Sequence, residues 1–206
     1  MTADPVRWLA AGAAVVLWLT VVATVVWSRV RARRAAAARA SGWLTHGLVV
    51  GDSVDMRIRS NRGFHGPAPE TPLILIGNGT GLAGLRAHWR ARADRPHGGV
   101  WLMFGERTSA HDAFLDAELQ AALASGILTR LDRAFSRDPG DGRYVQDLIR
   151  QGAADLVAWI DRGAVILVCG SLQGMSTGVH AALETALGAD RLLELTETGR
   201  YRRDVY

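Results

Sequence analysis

"LILIGNGTGLAGLR", residues 73–86, decides how the rest of this 206-residue chain is read. An apolar run meets a cluster of glycines and then a segment with the amphipathic pattern of a helix. Gly79-Thr80-Gly81-Leu82-Ala83-Gly84 fits the spacing G-x-G-x-x-G. Between a strand and a helix, that spacing lets backbone approach a pyrophosphate. The helix start then offers N–H groups and the positive end of its dipole. On its own the spacing fits a plain glycine turn of an α/β domain equally well.

The pattern continues outward from this stretch. "VWLMF" precedes a helical segment over 111–124, "ILTRLDRAF" precedes helices within 142–160, and "AVILVC" precedes a helix over 174–187. The first helix is expected over 81–93, and "GRYRRDVY" supplies a last edge strand. Continuous apolar runs alternating with amphipathic helices predict a doubly wound α/β fold with a five-stranded parallel sheet covered on both faces. A ligand then belongs at the carboxyl ends of the strands, near the topological switch point.

The N-terminal part is different. From Trp8 to Ser28 no residue is charged, and about 20 apolar residues suffice to cross a bilayer. Trp8 and Trp27 stand at its two ends, and "RVRARR" follows. The arginines after the span, against Arg7 and Asp4 before it, predict a single-pass helix with the C-terminal domain in the cytoplasm, in a cell inner membrane. A cleaved signal peptide would need a basic start and a shorter apolar core. Residues 1–7 form a tail, 8–28 the transmembrane helix, and 29–40, almost wholly Arg and Ala, a basic juxtamembrane linker. Residues 41–70 make a small separate block that ends in the turn-rich "HGPAPETP".

All 24 basic residues are arginine, against 20 acidic ones, for a net charge of +4. Anionic lipid is the simplest partner of the juxtamembrane arginines. No stripe of basic and aromatic residues argues for nucleic acid. The single cysteine, Cys169, excludes an internal disulfide and a cysteine-based metal site. The six histidines show no H-x-x-x-H pairing, so no metal site is expected.

Glu106 and Arg107 stand about 20 residues beyond the glycines, where an adenosine selector is expected. An acid there prefers a ribose hydroxyl and an arginine a 2′-phosphate, so this pair leaves both cofactors open. In "AFSRDPGDGRYVQD", Ser136, Arg137 and Arg143 place a hydroxyl and two guanidiniums at one strand edge. Arginine forks match phosphate oxygens, and Tyr144 offers a ring for stacking on a base. A solvated polar loop is the bland alternative. Cys169 closes the fourth strand, where a small buried hydrophobe is the ordinary reading.

Five stretches in order carry a resemblance: "PLILIGNGTGLAGLRAHWRAR", "LMFGERTSAHDAFLDAEL", "AFSRDPGDGRYVQD", "VILVCGSLQGM" and "GRYRRDVY". Together they resemble the NADPH-binding module of the diflavin reductases, which have a ferredoxin–NADP reductase fold. The ending "RDVY" is most similar to the sulfite reductase flavoprotein branch. The resemblance covers residues 71–206, read as the NADP(H)-binding domain. It implies that Gly79, Thr80 and Gly81 face the cofactor's phosphate and nicotinamide side and that Arg107 contacts phosphate. It implies that Ser136, Arg137 and Arg143 hold the 2′-phosphate, with Tyr144 on adenine and Gln146 nearby. Cys169, Asp204 and Tyr206 would form the catalytic cluster beside nicotinamide and flavin. Residues 41–70 resemble the tail end of the family's FAD-binding domain, with Ser41 and Thr45 near the FAD pyrophosphate.

The FMN domain and most of the FAD barrel have no counterpart in this sequence, so FMN is not expected here. The resemblance implies a membrane-anchored NADPH-dependent flavoprotein reductase, passing hydride from NADPH to FAD and electrons to a heme or iron–sulfur acceptor protein. The alternatives are a non-catalytic NADP(H)-binding module and a truncated remnant that needs a partner for flavin.

Overall fold

The apolar run of the opening stretch forms β1 (Leu73–Asn78), the middle strand of a sheet. The computed structural model describes residues 27–28, 42–57 and 59–206. The transmembrane helix expected over 8–28 lies outside the described residues except for Trp27 and Ser28. Among the described residues no helix is long and apolar enough to cross a membrane. The chain divides into two units, Met1–Ile58 and Arg59–Tyr206. In the first, a helical turn spans Trp43–Gly47 and carries no buried residue.

In the second unit, β1 is followed by α1 (Gly81–Arg90), β2 (Val100–Glu106), α2 (Ser109–Asp112), α3 (Asp116–Ala124) and β3 (Arg130–Phe135). Then come α4 (Val145–Gln151), α5 (Ala153–Asp161), β4 (Val165–Gly170), α6 (Thr177–Leu187), α7 (Ala189–Glu197) and β5 (Tyr201–Val205). The strands run in the order β3-β2-β1-β4-β5, and every neighbouring pair is parallel. The expected five-stranded parallel sheet is therefore present. The chain builds outward from β1 to β3 and returns to the other side of β1 at β4. That reversal opens a crevice at the carboxyl ends of β1 and β4.

Alternation within the central strands serves two cores. Ile74, Ile76, Trp101, Met103, Ile166 and Val168 pack with residues of α4, α5, α6 and α7. Leu73, Leu75, Leu102, Phe104 and Leu167 pack on the other face with Phe64, α1 and α3. Strands buried on both faces have no polar side to show, which is why they read as unbroken apolar runs.

The helices differ from the expected spans at several places, the first ending at Arg90 and not at 93. The segment 111–124 is broken because Leu115 takes a left-handed conformation, φ +56°. That frees Phe114 and Leu115 to line the cleft. The segment over 174–187 becomes regular only at Thr177, after Gly174 at φ +81°. The sequence reading had no counterpart for α7, which starts after Gly188 (φ +84°) and buries Leu192 and Leu195.

The turn-rich segment before β1 belongs to the second unit and is held there by one side chain. Arg92 is 3% exposed. Its Nη1 donates to the carbonyls of Pro69 (2.8 Å) and Thr71 (2.9 Å), and its Nη2 to those of Pro67 and Ala68. Three prolines in that segment, Pro67, Pro69 and Pro72, lack an N–H, which disfavours ladder pairing, and a guanidinium serves its carbonyls instead. Arg92→Met is expected to destabilise the fold by about 1–3 kcal/mol, since several partly buried carbonyls lose their donor. A urea titration reads this, and amide exchange should speed up at Thr71 first. An unchanged midpoint would show that Arg92 does not hold the segment.

Candidate functional site

A cleft of about 1000 Å³ opens across the carboxyl ends of β1 to β4. Its first wall is the turn into α1. Gly79 has φ +53°, a left-handed conformation that glycine adopts without strain. Gly81 is needed for a different reason. A Cβ there would stand 2.2 Å from the carbonyl oxygen of Cys169, so α1 can lie this close to β4 only because the side chain is missing. Gly84 meets the Cys169 thiol in the same way, a Cβ falling 3.0 Å from Sγ. The first turn of α1 carries no acidic residue, so the positive end of its dipole meets no anion of its own; the Leu82 and Ala83 N–H groups donate to the carbonyls of Gly79 and Thr80, both at 3.2 Å. Asn78, which the sequence reading missed, receives the Ser171 N–H on its Oδ1 at 3.0 Å and ties the β1 end to the β4 end.

The opposite wall comes from the ends of β2 and β3. The Arg137 N–H donates to the Arg107 carbonyl at 2.7 Å, and the Ser136 N–H to the Glu106 carbonyl at 2.9 Å. These bonds bring Arg107, Ser136 and Arg137 to one edge, and all three line the cleft with Tyr144 and Gln146. Arg107 and Arg137 are exposed, and among the described residues neither guanidinium makes a hydrogen bond or ion pair. Tyr144 is 57% exposed at the start of α4. Its N–H is held by the Asp147 carboxylate at 2.8 Å.

Arg143 is placed otherwise. Its guanidinium binds the Asp141 carboxylate, with Nη1 on Gln151 Oε1 at 2.9 Å, and it is not among the residues lining the cleft. This pairing holds the Asp141 carboxyl below its ordinary range. Asp141 in turn accepts the Phe135 N–H at 2.8 Å, so Arg143 braces the β3 end from behind. Arg86, absent from the sequence reading, reaches the cleft with its head clamped by Glu118 at 2.8 Å.

The C-terminal residues gather at the β1–β4–β5 edge. Cys169 pairs in register with Gly77 on one side and Asp204 on the other. Asp204 accepts a hydrogen bond from Asn61 Nδ2 at 3.3 Å. The hydroxyls of Tyr206 and Thr80 are 2.7 Å apart, and the Tyr206 N–H donates to the Gly170 carbonyl. Thus Thr80 and Tyr206 join the cleft to the chain end, whereas Cys169 lies beneath α1, 3% exposed. Thr45 belongs to the Met1–Ile58 unit, where its hydroxyl donates to the Gly42 carbonyl at 3.4 Å. Ser41 lies outside the described residues. Among the described residues no group of three His, Cys, Asp or Glu side chains is placed to hold a metal.

Burial, with a smaller push from Asp204, raises the Cys169 thiol from its ordinary value of 9.0 to about 11. Alkylation of the native chain near neutral pH is expected to be roughly a hundredfold slower than that of the unfolded chain, two pKa units being that ratio in thiolate. The sign for stability follows by linkage. The folded chain keeps a proton that the unfolded chain loses between pH 9 and about 11, so this contribution is present below that window and lost as pH rises through it. Iodoacetamide labelling and urea titrations on both sides of the window measure the two effects. Rapid native labelling would contradict the buried thiol.

Comparison with known proteins agrees with this geometry. The family model described as oxidoreductase NAD-binding domain matches residues 75–181. The chain is 41% identical over 179 residues to the sulfite reductase [NADPH] flavoprotein alpha-component of Yersinia enterocolitica, an alignment covering 81% of this chain and 30% of that protein. The same protein of Yersinia pestis is 40% identical over 185 residues (84% and 30%), and that of Vibrio vulnificus 39% over 179 (81% and 29%). The chain thus spans about three tenths of the length of the curated relatives it matches. The glycine turn, the parallel strand order and these alignments together make the chain a member of the oxidoreductase NAD-binding domain family of flavoprotein reductases.

Proposed function

We propose that the chain is the NADPH-binding module of a flavoprotein reductase of the sulfite reductase type. One observation carries this reading: two guanidiniums, Arg107 and Arg137, make no hydrogen bond or ion pair among the described residues and line the cleft with Ser136 and the exposed Tyr144 ring. Unpaired arginine forks suit a doubly charged 2′-phosphate, and a ring beside them suits adenine. The turn at Gly79 to Gly81 and the N–H groups of α1 suit the pyrophosphate.

The bound cofactor supplies a hydride equivalent for a flavin such as FAD. The residues of this chain bind and orient it. Arg107, Ser136 and Arg137 hold the adenosine end, with Tyr144 and Gln146 beside them. Thr80 holds the Tyr206 hydroxyl, and the terminal ring would cover the flavin until nicotinamide displaces it. Asp204, oriented by Asn61, and Cys169, a neutral thiol buried beneath α1, complete the catalytic cluster with Tyr206, and Cys169 would act there only if α1 moved to expose it. Electrons then pass to a heme or iron–sulfur acceptor protein. The apolar run 8–28 and the arginines after it attach the module to a lipid bilayer, single-pass, with the cleft on the cytoplasmic side of an inner membrane. FAD is supplied through the segment 41–70, including Ser41 and Thr45, or by a partner chain.

A second reading is favoured by one observation, the burial of Cys169 away from the cleft. It makes the chain a module that binds NADP(H) without chemistry of its own. Calorimetric titration of the full chain in detergent with NADP+ and NAD+, with and without FAD, tests both. Preference for NADP+ supports the site, and tightening by FAD supports the reductase. NADP+ binding with no response to FAD supports the module, and binding of neither nucleotide removes both readings.

A further inference from the structure

The cleft holds a carboxylate at the end of β2, the position from which an acid receives ribose hydroxyls in dinucleotide folds. Glu106 there should favour an unphosphorylated ribose and repel a 2′-phosphate. It therefore works against the NADP(H) preference proposed above, on which this inference rests. Its neighbours remove the conflict. The Glu106 side chain is 1% exposed, and both of its oxygens are engaged. Arg133 Nη2 donates to Oε2 at 2.7 Å, and the Phe114 N–H donates to Oε1 at 3.2 Å. Arg133 projects from β3, where it is the register partner of Phe104 two residues before Glu106. Its Nη1 donates to Asp116 Oδ1 at 2.5 Å, and its guanidinium lies 4.9 Å from the Phe135 ring centroid. Its Nε is buried and has no hydrogen-bond partner among the described residues. The head is thus oriented by the two carboxylates and the ring.

We propose that Arg133 is a specificity-determining residue that masks Glu106 and so turns an acid-bearing strand end into one that admits a 2′-phosphate. With the mask in place, the ribose meets Ser136, Arg107 and Arg137 without the Glu106 charge, and the other carboxylate lining the cleft, Asp112, is held by the Thr108 N–H and hydroxyl. Without it, a buried carboxylate has lost its cation and turns toward the solvent-open cleft that it lines. There it accepts the hydroxyls of an unphosphorylated ribose and opposes a phosphate.

The test is the ratio of NADP+ to NAD+ affinity in the full chain, by calorimetry, for wild type, R133M, E106Q and E106Q/R133M. R133M should lower the ratio about tenfold or more, and the double variant should bring it back to within about threefold of wild type. An unchanged ratio in R133M, or a fall that the double variant does not reverse, overturns the mask while leaving the NADP(H) site standing. A wild-type chain without preference for NADP+ removes the functional reading, and the mask with it. E106Q alone keeps the shape and decides the matter even where R133M does not fold. A masked charge predicts a change in ratio of less than about threefold, whereas a tenfold rise would show that the carboxylate is already felt.

Discussion

Arg137→Ala is expected to weaken NADP+ binding by about 30-fold while leaving NAD+ within about twofold. The guanidinium stands in the cleft beside Ser136 and Tyr144, and among the described residues it has no anion to leave behind when it is removed. Its deletion therefore acts on the ligand and not on the fold. A hydrogen-bonded charge pair is worth about 2 kcal/mol, and each 1.4 kcal/mol is a factor of about ten in affinity. Arg107 remains, which keeps the loss short of complete. Salt should shrink the difference between variant and wild type, because the two charges meet in a cleft open to water. Titration of both proteins with both nucleotides decides it. Equal weakening of NADP+ and NAD+ would place Arg137 on the shared part of the cofactor and remove the 2′-phosphate assignment.

Gly81→Ala is expected to be the most damaging single-methyl change in the cleft. The added Cβ would stand 2.2 Å from the Cys169 carbonyl oxygen, 2.5 Å from its carbon and 2.9 Å from the Gly170 Cα. All three are backbone atoms of a strand paired on both sides, by β1 and β5. No rotamer change relieves the contact, so α1 must shift away from β4. Overpacking of this kind costs roughly 3 kcal/mol or more, which for a unit of this size lowers the melting temperature on the order of 10 °C. The shift also moves the α1 N-terminus, so NADP+ affinity falls in whatever fraction remains folded. Gly140→Ala is the control, since nothing lies within 4 Å of its added Cβ and its φ is not positive. Melting curves of the two variants separate steric contact from a general intolerance of alanine. A G81A melting point within a few degrees of wild type would contradict the close approach of α1 to β4.

Much of the fold was legible because its signals are local. Strands buried on both faces leave continuous apolar runs, and glycines mark where each run turns into a helix. That most of the candidate residues gather at one edge was legible for the same reason. In a parallel sheet the residues just past each strand share one edge, so Gly79, Thr80, Arg107, Ser136 and Arg137 meet whatever the details of packing. Tyr144 and Gln146 follow within the next turn of chain.

What only the tertiary structure decided is how the charged side chains are allotted. Arg143 and Arg137 are equivalent as text, but Asp141 folds back on Arg143 and leaves Arg137 for the cleft. Glu106 reads as an unpaired acid in the text, whereas Arg133, 27 residues on, is set against it by strand register. Arg92 and the carbonyls of residues 67–71, and Asn61 and Asp204, likewise meet through the fold and not through spacing. Periodicity reports which face a residue occupies, because burial repeats with the backbone. It carries no information on which of several nearby partners a long flexible cation takes. That choice is set by distances of a few ångströms across elements far apart in sequence.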